Sequence, residues 1–236
     1  ADPRFPEIDY PILPFQQAHS DGHRISGWWV IETERAAVDD SPQITVLNYS
    51  QYEPNNFMRL ITLIARCVEG ETSFIFVQDD FLMSDFRRNS FEMALRIDDE
   101  PARQARWSGL TNSKGAGLFG REAESFIRTI YDADQLFVRL VESNGQRHDA
   151  LFELAGAQDA FEEVAAACGW TTLSLSSDDY RAIQTMLNAG GFDAGTPDGQ
   201  WGPASQRAMR AYQASVGLPE TGAPDRATLE SLGMEN

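Results

Sequence analysis

The chain has 236 residues, 42% of them hydrophobic and 23% charged, enough apolar material for one large or two ordinary globular domains. With 19 Lys+Arg against 36 Asp+Glu, its formal net charge of −17 excludes a nucleic-acid phosphate backbone as a partner. No stretch approaches the roughly 20 consecutive apolar residues of a membrane-spanning helix, so membrane insertion is not expected.

In residues 1–27, Pro3, Pro6, Pro11 and Pro14 break regular structure and predict an extended arm. The start Ala1-Asp2-Pro3 fits a mature chain after leader removal or a cloning remnant. Residues 28–172 read as a β-rich domain. Trp28 to Glu32, Ile44 to Tyr49, Arg59 to Arg66 and Phe74 to Val77 are rich in β-branched and aromatic residues. Phe91, Met93, Leu95 and Ile97 alternate with more polar neighbours, a half-buried strand pattern. Leu136 to Val141 and Ala150 to Leu154 form a hairpin through Ser143-Asn144-Gly145-Gln146. Helical spacing appears over Glu122 to Asp132 and Ala157 to Ala167, the latter on Phe161, Val164, Ala165 and Cys168. The expected fold is a β-sandwich or open barrel of about seven to nine strands with two packed helices.

Cys67 and Cys168 fit either one disulfide or two buried thiols, and neither has the Cys/His company of a zinc site. Residues 173–177 read as a linker, and 178–236 as a small three-helix bundle, making the whole an α+β two-domain protein. Asp178 or Asp179 caps the first of these helices, with Ile183, Met186 and Leu187 on its apolar face. Pro203 suits the first turn of the second helix, and Asp225 or the nearby residues cap the third.

Residues 178–233 closely resemble the bacterial peptidoglycan-binding domain family. The resemblance rests on Gln184-x-x-Leu187, Gly191-Phe192, Asp198-Gly199-x-Trp201-Gly202, Ala208-Met209-x-x-Tyr212-Gln213, Gly217-Leu218 and Thr221-Gly222-x-x-Asp225. It implies a module without catalytic chemistry that holds an attached domain to the cell wall. Gln184, Phe192, Asp198, Trp201, Tyr212 and Gln213 are the candidate peptidoglycan-contacting residues. The same aromatics also suit core packing, Asp198 and Gly199 a turn, and the two glutamines backbone contacts between helices.

Residues 28–170 resemble VasI/TagO-like type VI secretion-associated proteins through a series of short pieces. These are Trp29-Val30, Asp39-Asp40-Ser41, Leu63-x-x-Arg66-Cys67, Leu95-Arg96-Ile97-Asp98-x-x-Pro101-Ala102, Trp107-Ser108, Asp134-x-Leu136-x-Val138-Arg139, Phe152-x-Leu154-x-Gly156 and Cys168-Gly169-Trp170. That resemblance implies a periplasmic or secreted bacterial protein, a Cys67–Cys168 disulfide and an envelope or secretion-system partner. Arg96 and Asp98, two apart on one strand, are expected on one face, as a candidate partner contact or as a solvated strand edge with a turn at Asp99 to Pro101.

Enzyme signatures are sparse. His19, His23 and His148 lie in no metal-binding pattern, no metal or other cofactor is implied, and Asp39-Asp40-Ser41 has too few carboxylates for calcium. A glycosidase needs only two carboxylates, and Glu32, Glu34, Asp39, Asp40 and Asp98 are candidates that no spacing selects. The expectation is a non-catalytic peptidoglycan-binding envelope protein. A glycosidase-type wall-lytic enzyme and a protein-interaction scaffold without glycan binding are the alternatives.

Overall fold

The structure is a computed structural model that describes residues 17–19, 21–35, 37, 42–50 and 60–234. The proline-rich arm up to residue 16 and Asp39-Asp40-Ser41 lie outside the described residues. The chain divides into two compact units between Val164 and Ala165.

The N-terminal unit is built on one ten-stranded sheet, antiparallel at every described pairing. Its strands are β1 (Arg24–Ser26), β2 (Trp29–Arg35), β3 (Pro42–Tyr49), β4 (Thr62–Val68), β5 (Glu71–Val77), β6 (Ser90–Ile97), β7 (Arg103–Gly109), β8 (Gly115–Phe119), β9 (Gln135–Val141) and β10 (Arg147–Glu153). They lie in the order β1-β2-β3-β4-β5-β8-β7-β6-β9-β10, so two meanders join where β5 pairs with β8. Two helices complete the expected pair, α1 (Arg121–Thr129) and α2 (Ala157–Cys168), the second of which runs across the division at Val164.

The two ends of the sheet meet. Trp28 N–H donates to the Ala155 carbonyl at 2.9 Å, the Trp29 indole to Leu154 at 3.4 Å, and the Asn48 amide to Glu153 at 2.6 Å. This seam joins the strand ends without a continuous ladder, which gives an open barrel. Gly27 is required there. At φ +52°, a Cβ would lie 2.0 Å from the Ala155 carbonyl oxygen, so a side chain would force the seam open.

The core is aromatic, and its rings meet edge-on. Phe161 of α2 lies 4.9 Å from Trp29, while Phe126 of α1 lies 5.0 Å from Phe74 and 5.4 Å from Trp107 between centroids. Trp29, Phe74, Phe76, Phe91, Trp107, Phe152 and Phe161 are fully buried. Such rings combine large apolar burial with favourable quadrupole geometry.

Three strands go beyond the expected set. β1 is only three residues long, β7 (RQARWSG) is polar with Trp107 as its one buried residue, and β8 (GAGLF) opens on small residues. The shared face expected of Arg96 and Asp98 is also corrected. β6 stops at Ile97, and Asp98 turns to φ +48°. Its carboxylate accepts the N–H groups of Asp134 at 2.9 Å and Gln135 at 2.8 Å, pinning the start of β9, while Arg96 lies 6.0 Å from the Phe137 ring centroid.

The C-terminal unit holds α3 (Ser177–Ala189), α4 (Pro203–Val216) and α5 (Arg226–Ser231). The α3 cap is Ser176 rather than Asp178 or Asp179. Asp179 N–H donates to the Ser176 hydroxyl at 3.2 Å, and the Asp179 carboxylate accepts the Ser176 N–H at 2.8 Å, a capping box. Pro203 opens α4, left-handed Gly217 ends it, and Asp225 caps α5. Ile183, Leu187, Ala194, Ala208, Met209 and Leu229 form the core, with Leu173 and Leu175 packed against it. Cys67 and Cys168 are both disulfide-bonded, and the sequence holds no other cysteine.

Candidate functional site

Two loops of the C-terminal unit are each held by one buried glutamine. Gln184, 1% exposed on α3, accepts the Gly199 N–H at 2.9 Å and donates to the Gln200 carbonyl and the Ser205 hydroxyl, both at 3.0 Å. Gln213, 0% exposed on α4, accepts the Gly222 N–H at 2.9 Å and donates to the Ala223 carbonyl at 3.1 Å and the Thr228 hydroxyl at 3.0 Å. In each case the amide oxygen takes a glycine N–H, and the amide nitrogen binds the loop and the helix after it. Both glutamines therefore shape the loops from inside and do not line the surface. Gly199 permits its bracket: at φ +79°, a Cβ would come within 2.4 Å of the Ser177 carbonyl oxygen.

The candidate aromatics form two half-buried pairs. Phe192 and Tyr212 meet edge-on at 5.5 Å, with the Tyr212 hydroxyl 2.8 Å from Ser231 Oγ. Trp201 lies 5.5 Å from Tyr180 at a 36° tilt, and its indole N–H donates to the Gly222 carbonyl at 3.3 Å. Exposed Arg181 and Gln200 flank this second pair in sequence. Arg181 pairs with Asp178 and reaches the Asp198 carbonyl at 3.4 Å. Tyr180, Arg181 and Gln200 were not singled out from the sequence. Their signal was position: two open the helix that carries Gln184, and the third sits between Gly199 and Trp201.

Asp198 is exposed, and its carboxylate accepts the Gln200 N–H at 2.8 Å and the Gln184 amide at 3.3 Å. The Gln200 N–H, then the Gln184 amide, hold its pKa below the ordinary aspartate value of 3.8. The Ser176 hydroxyl and N–H do the same for Asp179. A lowered folded-state pKa means stability that is present above the unfolded value and lost as pH falls through the folded one. The C-terminal unit is therefore expected to hold a steady melting temperature from neutrality to about pH 5 and to lose it below about pH 4. Asp198→Asn is expected to remove part of that acid slope in a thermal melt series. An unchanged slope would show that these bonds do not set it.

Among the described residues, the candidate carboxylates Glu32, Glu34 and Asp98 are not brought together. Glu32 lies 3.7 Å from His23, Glu34 is exposed, Asp98 is bound to backbone, and Asp39 and Asp40 lie outside the described residues. Sequence reasoning missed a cleft of about 240 Å³ lined by Asp85, Ser90, Glu92, Arg106 and Glu142 among others. Each of its carboxylates is engaged. Asp85 accepts the Arg87 and Arg88 N–H groups, Glu92 pairs with Arg106, and buried Glu142 binds the Met83 N–H and His148. Among the described residues, no cluster of three His, Cys, Asp or Glu side chains could hold a metal ion.

Residues 176–232 match the family model described as a putative peptidoglycan binding domain. The match covers α3 to α5, including both glutamine brackets and both aromatic pairs. No curated protein matches the chain. Among solved structures, invasion associated protein b from Bartonella henselae is similar at TM-score 0.40 and 9% identity, over 61% of this chain and 96% of that one. A carbohydrate-binding module family 56 β-1,3-glucan binding domain is similar at TM-score 0.23 and 11% identity, over 39% and 93%. Both likenesses are too remote to bear on function.

Proposed function

We propose that the protein is a non-catalytic, exported bacterial envelope protein that binds peptidoglycan through its C-terminal unit. The family match on residues 176–232 carries this reading. The Tyr180–Trp201 pair supports it chemically, since half-buried aromatic faces stack on sugar rings while the planar side chains of Arg181 and Gln200 bond hydroxyl and amide groups. Phe192 and Tyr212 form a second such surface, Asp198 holds the loop that carries Trp201, and Gln184 and Gln213 act as positioning residues. With a net charge of −17, recognition of an anionic wall must be short-range. The β-rich unit then acts on an envelope or secretion-system component, the partner class that the VasI/TagO-like resemblance implies, and tethering raises its local concentration there.

The test is co-sedimentation of the full chain with purified sacculi, with the supernatant analysed for muropeptides. The chain is expected to pellet and release nothing. Trp201→Ala should lower binding about tenfold, and Arg181→Ala with Gln200→Ala, both at exposed positions, by a smaller factor. Failure to pellet would overturn wall binding. Muropeptide release abolished by a carboxylate substitution would replace the reading with a glycosidase.

A further inference from the structure

The connection between β5 and β6 displays apolar side chains on a fixed backbone. Phe81 is 71% exposed, Met83 49% and Phe86 99%, while Leu82 between them is buried as an anchor. The backbone is tied down along its length. Leu82 N–H donates to Ser113, Met83 N–H to the Glu142 carboxylate and Asp85 N–H to Ser90, while Ser143 and Asn89 donate back to Met83 and Asp85. The exposed rings are therefore held out by the fold, at little ordering cost on binding.

Arg87 and Arg88 follow directly and are exposed. Among the described residues, neither forms an ion pair, although the chain carries 36 acidic residues. The nearest acid in sequence, Asp85, uses its carboxylate on their backbone N–H groups. Two aromatic rings and a thioether beside two exposed guanidinium groups outside any described ion pair suit a boundary between acyl chains and phosphates, where aromatics insert and arginines bind anionic oxygen. The chain's net charge opposes an anionic surface at long range. At physiological salt, however, screening over about 8 Å confines that repulsion to nearby charges. Asp79, Asp80 and Asp85 lie in the same stretch, so the apolar side chains must supply most of the binding.

We propose that the 81–88 tip is a peripheral docking site for an anionic phospholipid bilayer. Phe81, Met83 and Phe86 enter the interface, and Arg87 and Arg88 bind lipid phosphates. It is a contact on the surface and not a span: no described helix is long and apolar enough to cross a membrane. One such tip gives weak, reversible binding.

Flotation of the full chain tests this, using phosphatidylethanolamine vesicles with roughly one quarter phosphatidylglycerol. The chain is expected to float. Phe81→Ser with Phe86→Ser should lower the bound fraction about tenfold, and Arg87→Gln with Arg88→Gln about fivefold. These side chains are exposed, so near-UV circular dichroism should stay unchanged. Sacculus pelleting should also be unaffected, which separates this inference from wall binding. A wild-type chain that stays unbound, leaving the tip to a protein partner, overturns the proposal. So does a pair of variants that float as well as the wild type.

Discussion

Gln213→Ala is expected to destabilise the C-terminal unit by about 3–4 kcal/mol. The side chain is fully buried, and its amide links α4 to the Thr221–Ala223 turn and to Thr228 of α5. Truncation strands the Gly222 N–H, costing about 1–3 kcal/mol when buried without a partner, and leaves a void besides. The Ala223 carbonyl loses one bond but keeps the Asp225 N–H at 3.0 Å. In a unit this small, that is a large share of a total stability of about 5–15 kcal/mol. Gln213→Glu sharpens the prediction. It keeps an acceptor for Gly222 but offers no donor to Ala223, and it places a carboxylate near Asp225, whose Oδ2 lies 3.3 Å from the Gln213 amide nitrogen. Urea unfolding followed by tryptophan fluorescence should show an early transition for both variants. A loss below about 1 kcal/mol would mean that water replaces the amide.

The brackets also show where sequence reading stopped. Gln184, Gly199 and Ser205 repeat in role as Gln213, Gly222 and Thr228, with the same spacing from glycine to hydroxyl residue. That repeat is visible in the chain, but it reads as turn chemistry until the loop folds over the amide. The N-terminal sheet was readable where alternation was local, as in Phe91, Met93 and Leu95 of β6. β7 and β8 were hidden because pairing, and not their own residue pattern, gives them strand geometry. Arg103 to Arg106 look like solvated chain until β6 pairs with them, and Gly115 to Gly117 gain strand geometry by pairing with β5. Asp98 was misplaced for the opposite reason. The alternating pattern runs on past Ile97, but a left-handed turn ends the strand, a conformation that aspartate tolerates and that periodicity does not report.

Reducing the disulfide is expected to cost about 4–5 kcal/mol and to lower the melting temperature by about 10–15 °C. Cys67 lies in β4, 1% exposed, opposite Ile44 on β3 and Thr72 on β5, and Cys168 ends α2. The closed loop of about 100 residues holds all of β5 to β10, including the long-range ladders between β5 and β8 and between β6 and β9. Without the link, the unfolded chain gains most in the segment whose pairing is least local, so slower refolding is expected along with the lower stability. Melts with and without reductant, and of Cys67→Ser with Cys168→Ser, measure the effect directly. A shift under about 3 °C would remove the disulfide from the account of the fold. A shift of the expected size ties folding to an oxidising compartment, because a chain that needs this bond is poorly held wherever thiols are kept reduced. That is the condition a wall-binding protein meets only after export, so the same melts bear on where the molecule can act.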